Sequence, residues 1–223
     1  MDIRLFTRVI IFLNISIITW AVIASPVRDL LYHFQENRLV TYFSAFQLIC
    51  TALMSFLVFD TAQLNRNQLK TKNLEQQSHY VWLLIALGFL LLSFDEVLMI
   101  HEQLDKAIHS IYAISENRWS DRLDDLLILL YCILAIFILW KHRKNLFIYK
   151  ETLIKYLYII FLLVLIMVVL DVITNRQDII KNDSVFQLLQ IFEEISKLAA
   201  EALCLVMAYA CLKQTLIWQL RDS

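Results

Sequence analysis

Of 223 residues, 60% are hydrophobic and only 18% are charged, and the formal net charge is −1. A soluble domain carries a charged share nearer about one quarter, so composition excludes an ordinary soluble domain, and the near-zero charge leaves no footprint for nucleic acid. Glycine and proline occur once each, as Gly88 and Pro26, which excludes a turn-rich sheet protein and leaves few residues with which to break a span as secondary transporters do.

The mean hydropathy of +0.62 and the scarcity of helix breakers predict an all-α chain of long uninterrupted helices. An apolar run of about 18 residues or more is long enough to cross a bilayer, and six stretches approach or meet that length: 9–24, 39–59, 80–100, 123–140, 156–173 and 186–212. The expected fold is therefore a polytopic membrane helix bundle of six transmembrane helices. Residues 1–223 form a single transmembrane domain with short loops and no soluble domain.

The first run follows Arg4 and Arg8 but no A-x-A site closes it, so it reads as a retained signal anchor rather than a cleaved leader. The last carries a polar stripe through Gln187, Gln190, Glu194, Lys197 and Glu201, so it cannot face lipid all round. Twelve lysines and arginines fall on the side holding both termini and the second and fourth loops, against seven on the other side. Basic residues concentrate on the cytoplasmic side, so both termini are expected in the cytoplasm of a cell, here inner-membrane, protein. The four cysteines, Cys50, Cys132, Cys204 and Cys211, lie inside apolar runs without CxxC spacing, and read as core residues.

The densest chemistry lies at the end of the third run, in Ser93, Asp95, Glu96, His101, Glu102, Asp105 and His109. If the helix continues through this stretch, Asp95 and Glu102 share a face about 10 Å apart along the axis. His101, Asp105 and His109 then stack at successive turns, a spacing that suits chelation of a divalent metal. With the topology above, Asp171 at the end of the fifth run and Glu193 and Glu194 early in the sixth fall on the same outer side. So do Asp121, Asp124 and Asp125, which read as ordinary helix-start acids. Lys197 lies four residues from both Glu193 and Glu201, a spacing at which either acid pairs with it. A charge buried in hydrocarbon is expensive, on the order of 3 kcal/mol by insertion scales, so this set must face the bundle interior or water. The third and sixth spans are accordingly expected to face each other.

The string Ser93-Phe94-Asp95-Glu96 followed by His101-Glu102 resembles the S-x-D-E-x(4)-H-E motif of a group of uncharacterised bacterial multi-spanning membrane proteins. The late acids Glu193, Glu194 and Glu201 are similar to that group's acidic helix, although the glycine expected beside them is absent. The resemblance implies a shared site and no particular activity. The chain lacks the H-x-x-x-H pair of alkaline-ceramidase-type zinc hydrolases, and six spans are too few for a ZIP-type metal transporter.

Three functional expectations follow. In the first, the chain is a membrane-embedded hydrolase with a divalent metal (iron, manganese or zinc) held by Asp95, His101, Glu102 and Glu194, and Glu96 acts as general base on metal-bound water. A carboxylate-rich shell favours iron or manganese over zinc. In the second, the protein is non-enzymatic, and its acids form a proton or cation site or a polar network that fixes helix packing. In the third, it is a small subunit of a larger membrane complex. The partner common to all three is the lipid bilayer.

Overall fold

In the computed structural model, the backbone is described for residues 1–26, 29–35, 37–68, 79–112, 123–174, 180 and 182–222, and within these the side chains of 65–68, 101–102, 105, 112, 123–129, 145 and 221–222 fall outside the description. The described residues are almost all helical, in the order α1 (Ile3–Ala24), α2 (Leu39–Gln68), α3 (Tyr80–Leu98), α4 (Ile100–Tyr112), α5 (Leu123–Lys141), α6 (Arg143–Leu146), α7 (Lys150–Thr174) and α8 (Asp183–Asp222). A 3-10 turn over Phe147–Tyr149 joins α6 to α7.

Five of these helices are long and apolar enough to cross a membrane: Ile3–Ala24, Leu39–Leu64, Tyr80–Leu98, Phe147–Thr174 and Asp183–Leu220. The remaining expected span coincides with α5, whose described apolar portion is Leu130–Lys141. Large side chains on the outer faces, such as Phe12, Leu53, Phe137, Tyr158 and Phe161, are exposed. Hydrocarbon is the solvent in which such surfaces are stable.

Helix α8 is the axis of the bundle. Its 40 residues extend about 60 Å at 1.5 Å per residue, from three residues before the expected span to ten beyond its end. Asn182 caps its start, its Oδ1 accepting from the backbone N–H groups of Ser184 (3.0 Å) and Val185 (3.4 Å), the usual device for satisfying free donors at a helix start. Helices α7, α2 and α1 pack directly on α8, and α2 in turn carries α3. The contact faces are built from small side chains, with Ser44, Ala45, Ala52, Ser55 and Ala62 buried on α2 and Ala200, Ala202, Ala208 and Ala210 on α8. Small residues let membrane helices approach closely and gain packing contacts where no hydrophobic drive operates.

Two apolar cores occupy opposite ends. One gathers Val58, Val81, Trp82, Tyr149, Leu153, Cys211 and Leu212, where the Tyr149 hydroxyl shares a 2.8 Å hydrogen bond with Thr215 Oγ1. The other gathers Ala21, Phe34, Val40, Ile191 and Leu198 at the end where α2 and α8 begin.

One expectation is corrected here. The third helix does not run on through His109. It stops at Leu98, and Met99 adopts a left-handed conformation with φ of 50°, its N–H bonding back to the Asp95 carbonyl at 2.7 Å. The reason lies in the change of pattern. Helix α3 is apolar on nearly every face, whereas in α4 the apolar residues Ile100, Leu104, Ile108 and Ile111 recur on one face only. A segment with one apolar stripe must lay it against an apolar surface, and a straight continuation would carry its polar face along the same path as α3. Asp95 and Glu102 therefore belong to different helices and share no helical face.

Candidate functional site

The chemistry collects at the end of the bundle where α2 and α8 begin and α3 and α7 finish. Its centre is Lys197, fifteen residues into α8 by the residue numbers. Its Nζ lies 2.6 Å from Glu96 Oε1 of α3 and 3.4 Å from Glu194 Oε2, one turn earlier on α8. The 2.6 Å contact is a charge-assisted hydrogen bond of the strong kind, and the 3.4 Å one is a looser ion pair. Each side chain is largely shielded, with 25% exposure for Lys197, 17% for Glu96 and 24% for Glu194.

Glu201, one turn further along α8, is buried, and its Oε1 accepts from the Ser44 hydroxyl of α2 at 2.7 Å. Helix α2 thus stands between α3 and α8 and contributes to both. Its neighbour on the other side is fixed by Ser93, whose hydroxyl donates to the Ala45 carbonyl at 3.1 Å. Asp95 is buried in the same last turn of α3.

Glu193 and Glu194 are adjacent in sequence and serve different neighbours, because successive residues on a helix point about 100° apart. Glu194 faces Lys197, whereas Glu193 Oε2 accepts from Thr174 Oγ1 at 3.2 Å, at the end of α7. The same hydroxyl also reaches the Asp171 carbonyl at 3.1 Å. The acids thus form two groups, one around Lys197 and one at the close of α7. The anticipated pairing of Lys197 with Glu193 and Glu201 is replaced by pairing with Glu96 and Glu194.

Of the other expected site residues, His101, Glu102 and Asp105 are placed by the backbone of α4, and their side chains lie outside the described residues. So do those of Asp124 and Asp125, together with Asp121 entirely. His109 sits in the last turn of α4, half-buried. Among the described residues, no three His, Cys, Asp or Glu side chains converge so as to hold a metal ion. At the Glu96 and Glu194 carboxylates the cationic position is taken by the Lys197 ammonium.

Sequence reasoning missed the contribution of α1 and α2. Thr41, Ser44, Gln47, Thr51 and Ser55 are all buried, and their spacing of three or four puts them on one face of α2. The Gln47 amide Nε2 donates to Asn14 Oδ1 of α1 at 3.1 Å, while the Thr51 and Ser55 hydroxyls return to the carbonyls of Gln47 and Thr51, each at 2.8 Å. The signal was present, since five polar residues at helical spacing inside an apolar run mark the face turned from lipid.

An all-helical, multi-span bundle with an ionised cluster at one end is the class that these features define. The chain belongs to the family of a domain of unknown function, DUF8692, which matches residues 3–212 and so covers nearly all of it. No curated protein matches the chain, and no solved structure does.

Proposed function

We propose that the chain is a six-span membrane protein with both termini in the cytoplasm, in which the Lys197 cluster is a proton- or cation-handling polar site near the extracytoplasmic face. The observation that carries this reading is the position of Lys197, whose ammonium stands between Glu96 and Glu194 at 2.6 and 3.4 Å. A carboxylate engaged by an ammonium is a poor metal ligand and a poor general base, because the adjacent positive charge lowers its basicity and repels a second cation. Two of the four carboxylates expected in a hydrolytic centre, Glu96 and Glu194, are so engaged. Interior ionisable groups in membrane spans serve in proton and ion paths, and Glu201, one turn beyond Lys197 and hydrogen-bonded to Ser44 of α2, adds another such group. The sixth span is α5, whose basic end at Lys141 adjoins Arg143 and Lys144, as expected of a cytoplasmic anchor.

A second reading rests on α4. Its unbroken helix over Ile100–Tyr112 sets His101, Asp105 and His109 at successive turns, a row suited to a divalent metal. Elemental analysis of the purified protein separates the two. The first reading expects no stoichiometric iron, manganese or zinc, and reduced folding yield for Glu194→Gln. A stoichiometric metal that is lost in His101→Ala with folding intact would replace it with the second.

A further inference from the structure

Beside the Lys197 cluster, two buried acceptor oxygens receive no hydrogen bond from any described residue: Gln47 Oε1 and Glu201 Oε2. Gln47 is 2% exposed and Glu201 8%. The direction of the bonds around them can be worked out from one fixed point. The Ile10 carbonyl can only accept, so the Asn14 atom 2.9 Å from it is the donor Nδ2. Asn14 therefore turns Oδ1 towards α2, Gln47 meets it with Nε2, and Gln47 Oε1 is left over. Exchanging O and N in either amide would set acceptor against acceptor or donor against donor. On the other flank, Ser44 supplies its single hydroxyl proton to Glu201 Oε1. Ser44 and Gln47 are three residues apart, so they are stacked neighbours on one face of α2. The network thus ends in two acceptors, one on α2 and one on the α8 residue held by the neighbouring Ser44, and no donor among the described residues.

We propose that Glu201 is a proton-binding site: its carboxyl group is a neutral acid with the proton on Oε2, donated to Gln47 Oε1 directly or across one water. One proton then satisfies both orphaned oxygens and removes a charge from the membrane interior, where an unmet polar group is costly. This deepens the proton or cation reading above, rests on it, and names the ligand as a proton and the carrier as Glu201. The charged groups acting on Glu201 are Lys197, Glu96 and Glu194. Cys204 lies one turn further along α8, and α2 meets Glu201 with the neutral Ser44. Because Lys197 pairs with Glu96 and Glu194, the ammonium is balanced without Glu201, and the neutral acid leaves the cluster one negative charge rather than two.

The test is infrared spectroscopy on the full chain in lipid nanodiscs, at neutral pH and without sodium. The expected result is a protonated-carboxyl carbonyl band, sensitive to deuterium, that disappears in Glu201→Gln and moves to higher frequency in Gln47→Leu, where the acceptor is gone. Glu201→Gln should melt within about 3 °C of the parent, because its amide reproduces both the acceptor for Ser44 and the donor for Gln47. Absence of the band, or its survival at full intensity in Glu201→Gln, overturns the proposal. So does a melting temperature that rises with added sodium while no band is present, which would assign the place to a cation. If Glu201→Gln does not fold, Gln47→Leu decides alone, and an unmoved band overturns the proposal. Failure here leaves the Lys197–Glu96 pair intact, since that pair is measured independently by its own mutant cycle.

Discussion

Lys197 and Glu96 meet at 2.6 Å although the helices that carry them, α8 and α3, hardly approach each other as backbones among the described residues. Helix α2 separates them, and the two side chains reach past it. The ion pair is therefore a clamp across three helices rather than a neighbourly contact, and its position at the end of α3 puts it next to the break at Met99.

The Ser44 hydroxyl, fully buried on α2, ties α2 to Glu201 one turn beyond that clamp. Ser44→Ala removes a 2.7 Å bond to Glu201 and leaves a second carboxyl oxygen without a donor. A loss of about 1.5 kcal/mol is expected, seen as a fall of roughly 5 °C in melting temperature in detergent. Ser44→Thr keeps the hydroxyl and should lose less. Equal melting of the parent and the alanine variant would show that the bond contributes nothing.

Met99 holds φ at 50°, a region that costs a side-chain-bearing residue about 1–2 kcal/mol. Met99→Gly should therefore be neutral or stabilising in thermal unfolding, even though it gives up the 3.8 Å contact between Asn37 Nδ2 and the Met99 sulfur. Met99→Val should be destabilising, because a β-branched residue is a poor occupant of that region. The reverse order would mean that α3 and α4 are continuous in the membrane.

How far the sequence foretold this arrangement depends on which force decides each part. Five of the expected spans were legible because hydropathy sets them directly: α3 ends within two residues of its expected range, and α1 ends where expected but begins six residues earlier. The approach of Glu96 and Glu194 at one end was legible too, since both must avoid lipid and the third and sixth spans were expected to face each other. The break at Met99 was not, because no glycine or proline marks it and it arises from the switch between an all-round apolar helix and a one-sided one. Nor was the partner of Lys197. Spacing within one helix favours Glu193 and Glu201, and only tertiary placement by α2 brings Glu96 within reach. The polar face of α2 was readable and passed over, because uncharged residues such as Ser44 and Gln47 are less conspicuous than acids.

The topology has its own test. With six spans and cytoplasmic termini, a single cysteine at Ser115 should react with a membrane-impermeant thiol reagent from the outside of intact cells. A cysteine at Lys144 should react only after permeabilisation. Both measurements start from a chain in which Cys50, Cys132, Cys204 and Cys211 are replaced. Labelling of both sites from the same side would require an even number of spans between them, or none, and would remove α5 as the sixth.

The most direct test of the central claim is a double-mutant cycle on Lys197 and Glu96, using Lys197→Met, Glu96→Gln and the two together, with unfolding free energies measured in one detergent. Lys197→Met strands two carboxylates that are largely withdrawn from solvent and should cost about 3 kcal/mol, whereas Glu96→Gln leaves Lys197 paired with Glu194 and should cost less. In the double variant only Glu194 lacks its cation, so part of the Lys197→Met loss is recovered, with a coupling energy of about 1–3 kcal/mol. Additivity of the two losses within about 0.5 kcal/mol would contradict the account, because it would mean that Lys197 does not hold Glu96 in the folded membrane protein.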